Sequence, residues 1–402
     1  MRDPSRVRVS GPLEGYASGF AVELARVGYT RDAAACQLRL MAHASSWLAG
    51  KGLDAAGLTA AVVEEFFVAR RAAGHATLRS SRALEPLLAY LRGLGVEPAP
   101  VVVAATPADE LLERYRRYLL VERGLAAVTV RGYVDIVRPF LAGRVAADGS
   151  GLERLAARDV TAFVLAECPG RSRGSAKLLV CALRSLLGFL HVDGVLAESL
   201  SGAVPSVAGW RLAGLPRGLE PAQARRLLAG CDRRTAVGRR DFAILTLLLR
   251  LGLRRGEVAR LELCDLGWRA GEIVIRGKGD RQERLPLPND VGEPIAGYLR
   301  RGRPGSAEGR CVFVRVKAPL RALTPGGVTN VVVAAGRRAG LGQIAAHRLR
   351  HTAATEMLRA GATLPEIGQV LRHRSLRTTA IYAKVDREAL RSLARPWSGG
   401  AA

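Results

Sequence analysis

Three of the six histidines, His347, His351 and His373, fall in one short stretch dense in arginine. Between positions 341 and 384 the cations Arg348, Arg350, Arg359, Arg372, Arg374, Arg377 and Lys384 are opposed only by Glu356 and Glu366. On a helix His347, Arg350 and His351 stand at i, i+3 and i+4 and share one face. Histidine and arginine together on a basic face suit an oxyanion, because the guanidinium fork holds phosphate oxygens in pairs. Zinc hydrolysis would need a glutamate after the first histidine of H-x-x-x-H, and position 348 is arginine, so no metal is expected there. Taken alone, His351 reads as a packing or supporting histidine.

Two further residues carry chemistry only in context. Residues 272–276 and 284–287 read as strands joined by the turn Gly277-Lys-Gly-Asp280, which puts Lys278 at a hairpin tip. The turn is no phosphate loop: G-x-x-x-x-G-K-[ST] requires a hydroxyl residue where Gly279 stands. A hairpin lysine is by itself a solvated turn residue. Tyr382, on a short amphipathic segment, is by itself a half-buried packing residue.

Their order along the chain makes them specific. Gly252-Leu-Arg254-Arg255-Gly-Glu257 with Asp265 comes first, followed by Gly277-Lys278-Gly279 with Arg284. His347-Arg348-Leu-Arg350-His351, Leu371-Arg372-His373 and Thr379-Ala-Ile-Tyr382 complete the series. It resembles the catalytic domain of the tyrosine recombinases, the phage-integrase-like family, over about 218–394. By that resemblance Arg254 and Arg350 clamp the non-bridging oxygens of a scissile phosphate. His347 and His373 bond the same phosphate, Lys278 is the hairpin lysine and Tyr382 the nucleophile. Glu257, Asp265 and His351 fall at supporting positions, and Arg255, Arg281, Arg284, Arg348, Arg372, Arg374 and Arg377 are expected to contact DNA. The chemistry agrees. Fixed cationic donors offset the charge that develops on the equatorial oxygens. Tyrosine, with an ordinary pKa of about 10, needs a positive field or a base to lose its proton. Lys278 can protonate the departing 5′ oxygen. The family usually has glycine before the histidine of its L-G-H motif. Arg372 replaces it here, and a positive φ at that position would strain it.

The elements that must position these groups follow from pattern and punctuation. The chain has 402 residues, 49% apolar and 24% charged, enough for two or three folded domains. Linkers are expected at Glu97–Pro107 and between Ser201 and Pro221. The expected division is a helical domain over 1–100, a helical core-DNA-binding domain over 101–204, a linker over 205–217, the catalytic domain over 218–394 and a flexible tail over 395–402. Residues 83–91 and 182–190 align at a constant offset of 99, each followed by Gly-Val, so the first two domains read as weak copies of each other. Residues 241–252 are apolar almost all round, which predicts a buried helix. Thr363 with Glu366 reads as a capping box. The fold class is multidomain and mainly α, with helical N-terminal DNA-clamping domains before a mixed α+β catalytic domain carrying a small antiparallel sheet.

Charge and composition limit the function. Lys and Arg number 61 against 36 Asp and Glu, a net charge of +25, which points to a polyanion partner. The six cysteines include no C-x-x-C pair, which suits a reducing cytoplasm. No apolar run reads as a membrane span, Ile244–Leu253 being the nearest, and no membrane partner is expected. The resemblance implies a site-specific recombinase or integrase of phage, transposon or chromosomal role. It would work through a 3′-phosphotyrosine and a Holliday junction with no cofactor, as a tetramer on duplex DNA held through the C-terminal tail, with room for accessory recombination proteins. The alternatives are a type IB topoisomerase-like relaxing enzyme and a non-catalytic DNA-binding regulator.

Overall fold

The computed structural model describes residues 4–96, 106–146, 148–208, 218–277, 281–307, 309–373 and 375–385. The chain forms two compact units, one of residues 1–100 with 214–402 and one of residues 101–213. The expected linker over 205–217 and tail over 395–402 lie largely or wholly outside the described residues.

Residues 4–96 fold into helices α1 (Ala17–Arg26), α2 (Arg31–Gly50), α3 (Ala60–Ala72) and α4 (Glu85–Gly93). Thr30 and Thr59 cap α2 and α3 by accepting the amides of Ala33 and Val62. Phe20, Leu38, Met41, Leu48, Phe67, Leu87 and Leu91 make an apolar core between them. The 101–213 unit repeats the plan with α5 (Pro107–Val121), α6 (Ala127–Ala142), α7 (Ala157–Glu167) and α8 (Arg173–Val192). Thr106 caps α5 with Pro107 in the first turn, as its sequence predicts.

The offset of 99 holds in three dimensions. Leu84, Leu87 and Leu91 are buried, and so are their counterparts Leu183, Leu186 and Leu190. Each helix ends in the same cap. Val96 N–H donates to Leu91 O at 3.0 Å and Val195 N–H to Leu190 O at 2.9 Å. Between them Gly95 and Gly194 take φ of +75° and +78°, the left-handed conformation that only glycine adopts freely. One sequence expectation needs revising. The most membrane-like segment is α8 and not Ile244–Leu253, for α8 is long and apolar enough to span a bilayer by composition. Its Leu183, Leu186, Leu187 and Leu190 are buried in the core of its own unit.

Residues 218–385 hold α9 (Pro221–Ala229), α10 (Ala236–Arg250) and α11 (Arg255–Arg260). Strands β1 (Leu266–Gly267), β2 (Glu272–Arg276) and β3 (Gln282–Pro286) form an antiparallel sheet in that order. Ile273 pairs with both Leu266 and Leu285, and Ile273, Ile275 and Leu285 face the core. Then follow α12 (Asn289–Arg301), α13 (Pro325–Arg338), α14 (Ala346–Arg359), α15 (Leu364–Val370) and α16 (Leu376–Thr379). Helix α10 is the buried hub that its sequence predicts: Ala243 through Leu249 are buried without a break. Thr363 and Glu366 form the expected capping box of α15, with Thr363 N–H donating to Glu366 Oε2 at 2.7 Å. A second, smaller cluster of Ala354, Ile367, Leu371 and Tyr382 sits where α14 and α15 meet the end of the described chain.

The capping geometry separates two glycines of α8 and its cap. Gly188 lies inside the helix with open space where a Cβ would go, so Gly188→Ala should stabilise the unit by about 0.5–1 kcal/mol. Gly194→Ala should destabilise it by about 1–2 kcal/mol, because alanine resists the left-handed backbone. Urea denaturation of the two variants checks the pair, and shifts of the same sign would contradict it.

Candidate active site

The site begins at the turn between α10 and α11. Gly252 takes φ of +57°, and a Cβ there would lie 2.4 Å from Leu371 Cδ2, so both the turn and the packing require glycine. The next two residues deliver Arg254 to the N-terminus of α11. Glu257 lies one turn on. Its Oε2 accepts the Arg254 amide at 2.7 Å and its Oε1 accepts Arg254 Nη1 at 2.8 Å. Arg254 remains 47% exposed while Glu257 is buried.

Helix α14 supplies the next group. Leu349 anchors it in the main core, which turns Arg350 inward and leaves His347 on the exposed face. Arg350 is 2% exposed. Its guanidinium donates to Gly252 O at 2.5 Å and to Leu371 O, joining three separate segments. Burial, then the neighbouring Arg254 and Arg372, lower its pKa to about 10, so it stays charged at neutral pH. A cleft of about 420 Å³ opens beside it, lined by Leu253, Arg254, Arg255, Thr329, His347 and Arg350.

The end of α15 carries the remaining groups. Arg372 N–H donates to Gln369 O and His373 N–H to Gly368 O, each at 2.9 Å, which makes position 372 the left-handed residue of a helix-ending motif. Its φ is +55°. Arginine in this conformation costs about 1–2 kcal/mol that glycine would not. The Arg372 guanidinium does not reach outward to DNA, as the sequence led us to expect. It is buried, with Nη2 on Glu257 Oε2 at 2.7 Å and Nη1 on Val370 O at 2.8 Å. Burial raises the Glu257 carboxyl, but Arg372 and then Arg254 more than offset that and hold it below the ordinary value.

His373 and Tyr382 are brought together with His351. The rings of His373 and Tyr382 stack at 6.5 Å, nearly parallel. Tyr382 is buried and its hydroxyl lies 2.9 Å from His351 Nδ1. Burial, then His347 and Arg350, lower His351 to about 4, and burial, then Arg350 and Arg254, do the same to His373. His347, although its face is open to solvent, is lowered too, by partial desolvation against the surrounding protein and then by Arg350 and Arg254. All three imidazoles are therefore neutral at pH 7. Burial raises Tyr382, with Arg350 pulling the other way, so its phenol keeps its proton at neutral pH and shares a hydrogen bond with the neutral His351 ring. Sequence reasoning gave His351 a supporting place, and the structure puts it in direct contact with the tyrosine. Thr379 was not singled out. It is buried, its Oγ1 lies 2.8 Å from His373 Nδ1, and its position three residues before Tyr382 was the available signal.

The other expected residues lie around this centre. Asp265 accepts Arg276 Nη2 at 2.9 Å and the Glu262 amide at 2.8 Å, fixing the end of β2 beside the hairpin turn. Gly277 N–H donates to Arg281 O at 2.7 Å, closing that hairpin. Lys278 and Arg374 lie outside the described residues, as does the Arg377 side chain. Arg255, exposed, reaches Thr329 Oγ1 at 3.1 Å, and Arg281 is exposed beside Arg254 and Gly277 on a second cleft of about 480 Å³. Arg284 pairs loosely with Glu272 at 3.4 Å on the outer strand. Arg348 turns toward Gly218 O at 3.5 Å and is half-buried.

Comparison with known proteins converges on the same chemistry. Residues 217–389 match the phage integrase family, and residues 112–194 match its N-terminal SAM-like domain. A putative integrase/recombinase, y4rA of Sinorhizobium fredii, is 41% identical over 97% of this chain and 96% of its own length. The chain belongs to the phage integrase family of tyrosine recombinases. Tyrosine recombinase XerD of Listeria monocytogenes is 30% identical over 71% of the chain and 97% of its own length. Among solved structures, the XerH site-specific recombinase bound to palindromic difH substrate matches with a TM-score of 0.60 at 20% identity, over 74% of this chain and 99% of that one. A lambda integrase tetramer bound to a Holliday junction matches with a TM-score of 0.54 at 14% identity, over 77% and 87%. At these identities the two solved structures share the fold.

The neutral histidines make stability pH-dependent. Their folded pKa values lie below the unfolded value of about 6.5, so as pH falls toward 4 the unfolded chain takes up protons before the folded one. Stability is then fully present above about 6.5 and is lost as pH falls toward 4. Melting temperature should decline over that window in the parent protein, and His351→Gln should make the decline shallower. An equal slope in parent and variant would show that His351 is not held neutral by the fold.

Proposed function

We propose that this recombinase cleaves and rejoins DNA strands through Tyr382. The observation that carries the reading is that Arg254, His347 and Arg350 line one basic cleft, while Tyr382 rests on His351, one turn of α14 beyond His347, and stacks with His373. A phosphodiester entering the cleft meets the exposed Arg254 guanidinium and the exposed His347 ring. Arg350 supplies positive charge from beneath, with its donors held in place by two carbonyls. The two guanidiniums offset charge on the equatorial oxygens as Tyr382 Oη attacks phosphorus. The phenol proton passes to the neutral His351 Nδ1 against which it already rests. Lys278 protonates the departing 5′ oxygen, a step worth roughly 10²–10⁴ in rate. The 3′-phosphotyrosine keeps the energy of the broken bond, so a 5′ hydroxyl from a second duplex can reverse the attack and release Tyr382 without ATP.

Duplex DNA is the partner. The solved relatives hold their substrates as DNA complexes, and one of them is a tetramer on a Holliday junction. Four protomers exchanging strands between two specific sites is the assembly we propose for this chain, coupled through residues beyond 385 and acting in the cytoplasm. We assign residues 218–394 to catalysis and 101–204 to gripping core DNA, with residues 1–100 as a further helical domain. Arg255 and Arg281 are the arginines best placed to contact flanking phosphates, and such contacts make affinity fall steeply with salt.

The test is a covalent one. Nicked duplexes from a random-site pool, enriched for binding to this protein, should yield a denaturant-resistant protein–DNA band in EDTA. Tyr382→Phe should abolish that band and leave DNA binding in place, and Lys278→Ala should slow its formation by about 10²–10⁴. Binding without any covalent band would favour a DNA-binding regulator. Relaxation of supercoiled DNA lacking the enriched site would favour a topoisomerase.

A further inference from the structure

Arg372 is a cation placed where the backbone resists it. Position 372 closes α15 in a left-handed conformation with φ of +55°, and its side chain runs inward instead of out to solvent. Among the described residues its buried Nε has no hydrogen-bond partner. A strained backbone and an unmet donor are features that good packing alone does not produce, and they direct attention to what the charge does.

What it does is meet Glu257. That carboxylate has two guanidinium partners in different surroundings. Arg372 Nη2 bonds Oε2 at 2.7 Å, with the two side chains only 4% and 3% exposed. Arg254 Nη1 bonds Oε1 at 2.8 Å from a side chain that is 47% exposed. The buried pair interacts in a low dielectric and the exposed one is screened by water, so the carboxylate's charge is compensated chiefly by Arg372. The Arg372 carbonyl also accepts Arg254 Nη2 at 3.3 Å, which tethers Arg254 by a group that any residue at 372 would supply.

We infer that Arg372 is a positioning residue for strand cleavage: by taking up the charge of Glu257 in a buried ion pair, it leaves Arg254 with uncompensated positive charge for the scissile phosphate. Without Arg372, the buried carboxylate's only guanidinium partner among the described residues is Arg254, and the phosphate meets a clamp with one unit less net charge. Glu257 is needed in either case to cap α11 and aim Arg254. The inference rests on the proposed Tyr382 chemistry, and it adds a residue that touches neither phosphate nor nucleophile.

Arg372→Gly is a sharp test, because glycine removes the charge, keeps the tethering carbonyl and relieves the strain. The readout is the first-order rate of covalent complex formation on an enriched nicked duplex at saturating protein, with DNA affinity and melting temperature measured beside it. Arg372→Gly should slow cleavage roughly tenfold or more, less than the 10²–10³ expected for losing a direct donor, with affinity little changed. Arg372→Lys should recover most of the rate. In a Glu257→Gln background, where there is no carboxylate to compensate, Arg372→Gly should alter the rate by less than about threefold. That comparison still reads if the glycine variant of the parent is too unstable to assay. A parental rate in Arg372→Gly, or an undiminished loss in the Glu257→Gln background, overturns the inference. If the parent protein itself forms no covalent complex, the failure belongs to the Tyr382 reading instead.

Discussion

A charge buried almost completely inside the domain organises everything around it. Arg350 is 2% exposed, and an isolated guanidinium in such a place would be costly unless its donors were met. They are met by main-chain carbonyls, Gly252 O from the turn after α10 and Leu371 O from the end of α15. Carbonyls satisfy hydrogen bonds without cancelling charge, so Arg350 is held and yet remains a full cation. The same two contacts dictate backbone shape. Gly252 must turn with positive φ and no Cβ so that Leu371 can pack on it, and α15 must end at Val370 so that the carbonyl of its cap, Leu371, faces inward. Arg254 follows the first of these points and reaches the cleft, and His373 follows the second and reaches Tyr382.

How much of this could be read beforehand depended on whether a residue's role was local. The caps of α5 and α15, the buried character of α10 and the antiparallel hairpin are set by neighbours in sequence, and all were legible. The grouping of Arg254, His347, Arg350, His373 and Tyr382 was legible because an ordered series of short motifs carries it. The inward course of Arg372 was not. It depends on Glu257, 115 positions away, lying beneath a helix end that sequence alone could not place against α11. The partnership of Thr379 with His373 was hidden for the same reason, although the two are six residues apart.

The repeated helical plan shows where similarity persists. Between the first four helices and the next four, the matching features are the buried leucines and the left-handed glycines, Gly95 and Gly194, that end the last helix of each set. Lengths are not retained: α4 has 9 residues and α8 has 20. A cap with a required backbone conformation and a fixed hydrophobic triad tolerates few substitutions, whereas a helix can gain turns at its exposed end without disturbing either.

The hydroxyl of Tyr382 rests inside the protein, against a neutral imidazole. A protein that slides along a chromosome passes an enormous number of phosphodiesters, each of them chemically equivalent to the one it is meant to cut. Reactivity at every encounter would leave a trail of breaks. On the proposed Tyr382 chemistry, the phenol must first exchange its hydrogen bond and leave its apolar surroundings, so transient encounters end before attack can start. On that reading, a duplex that stays long enough in the right register meets the unsheathed hydroxyl, and the dwell time of a complex becomes part of its specificity.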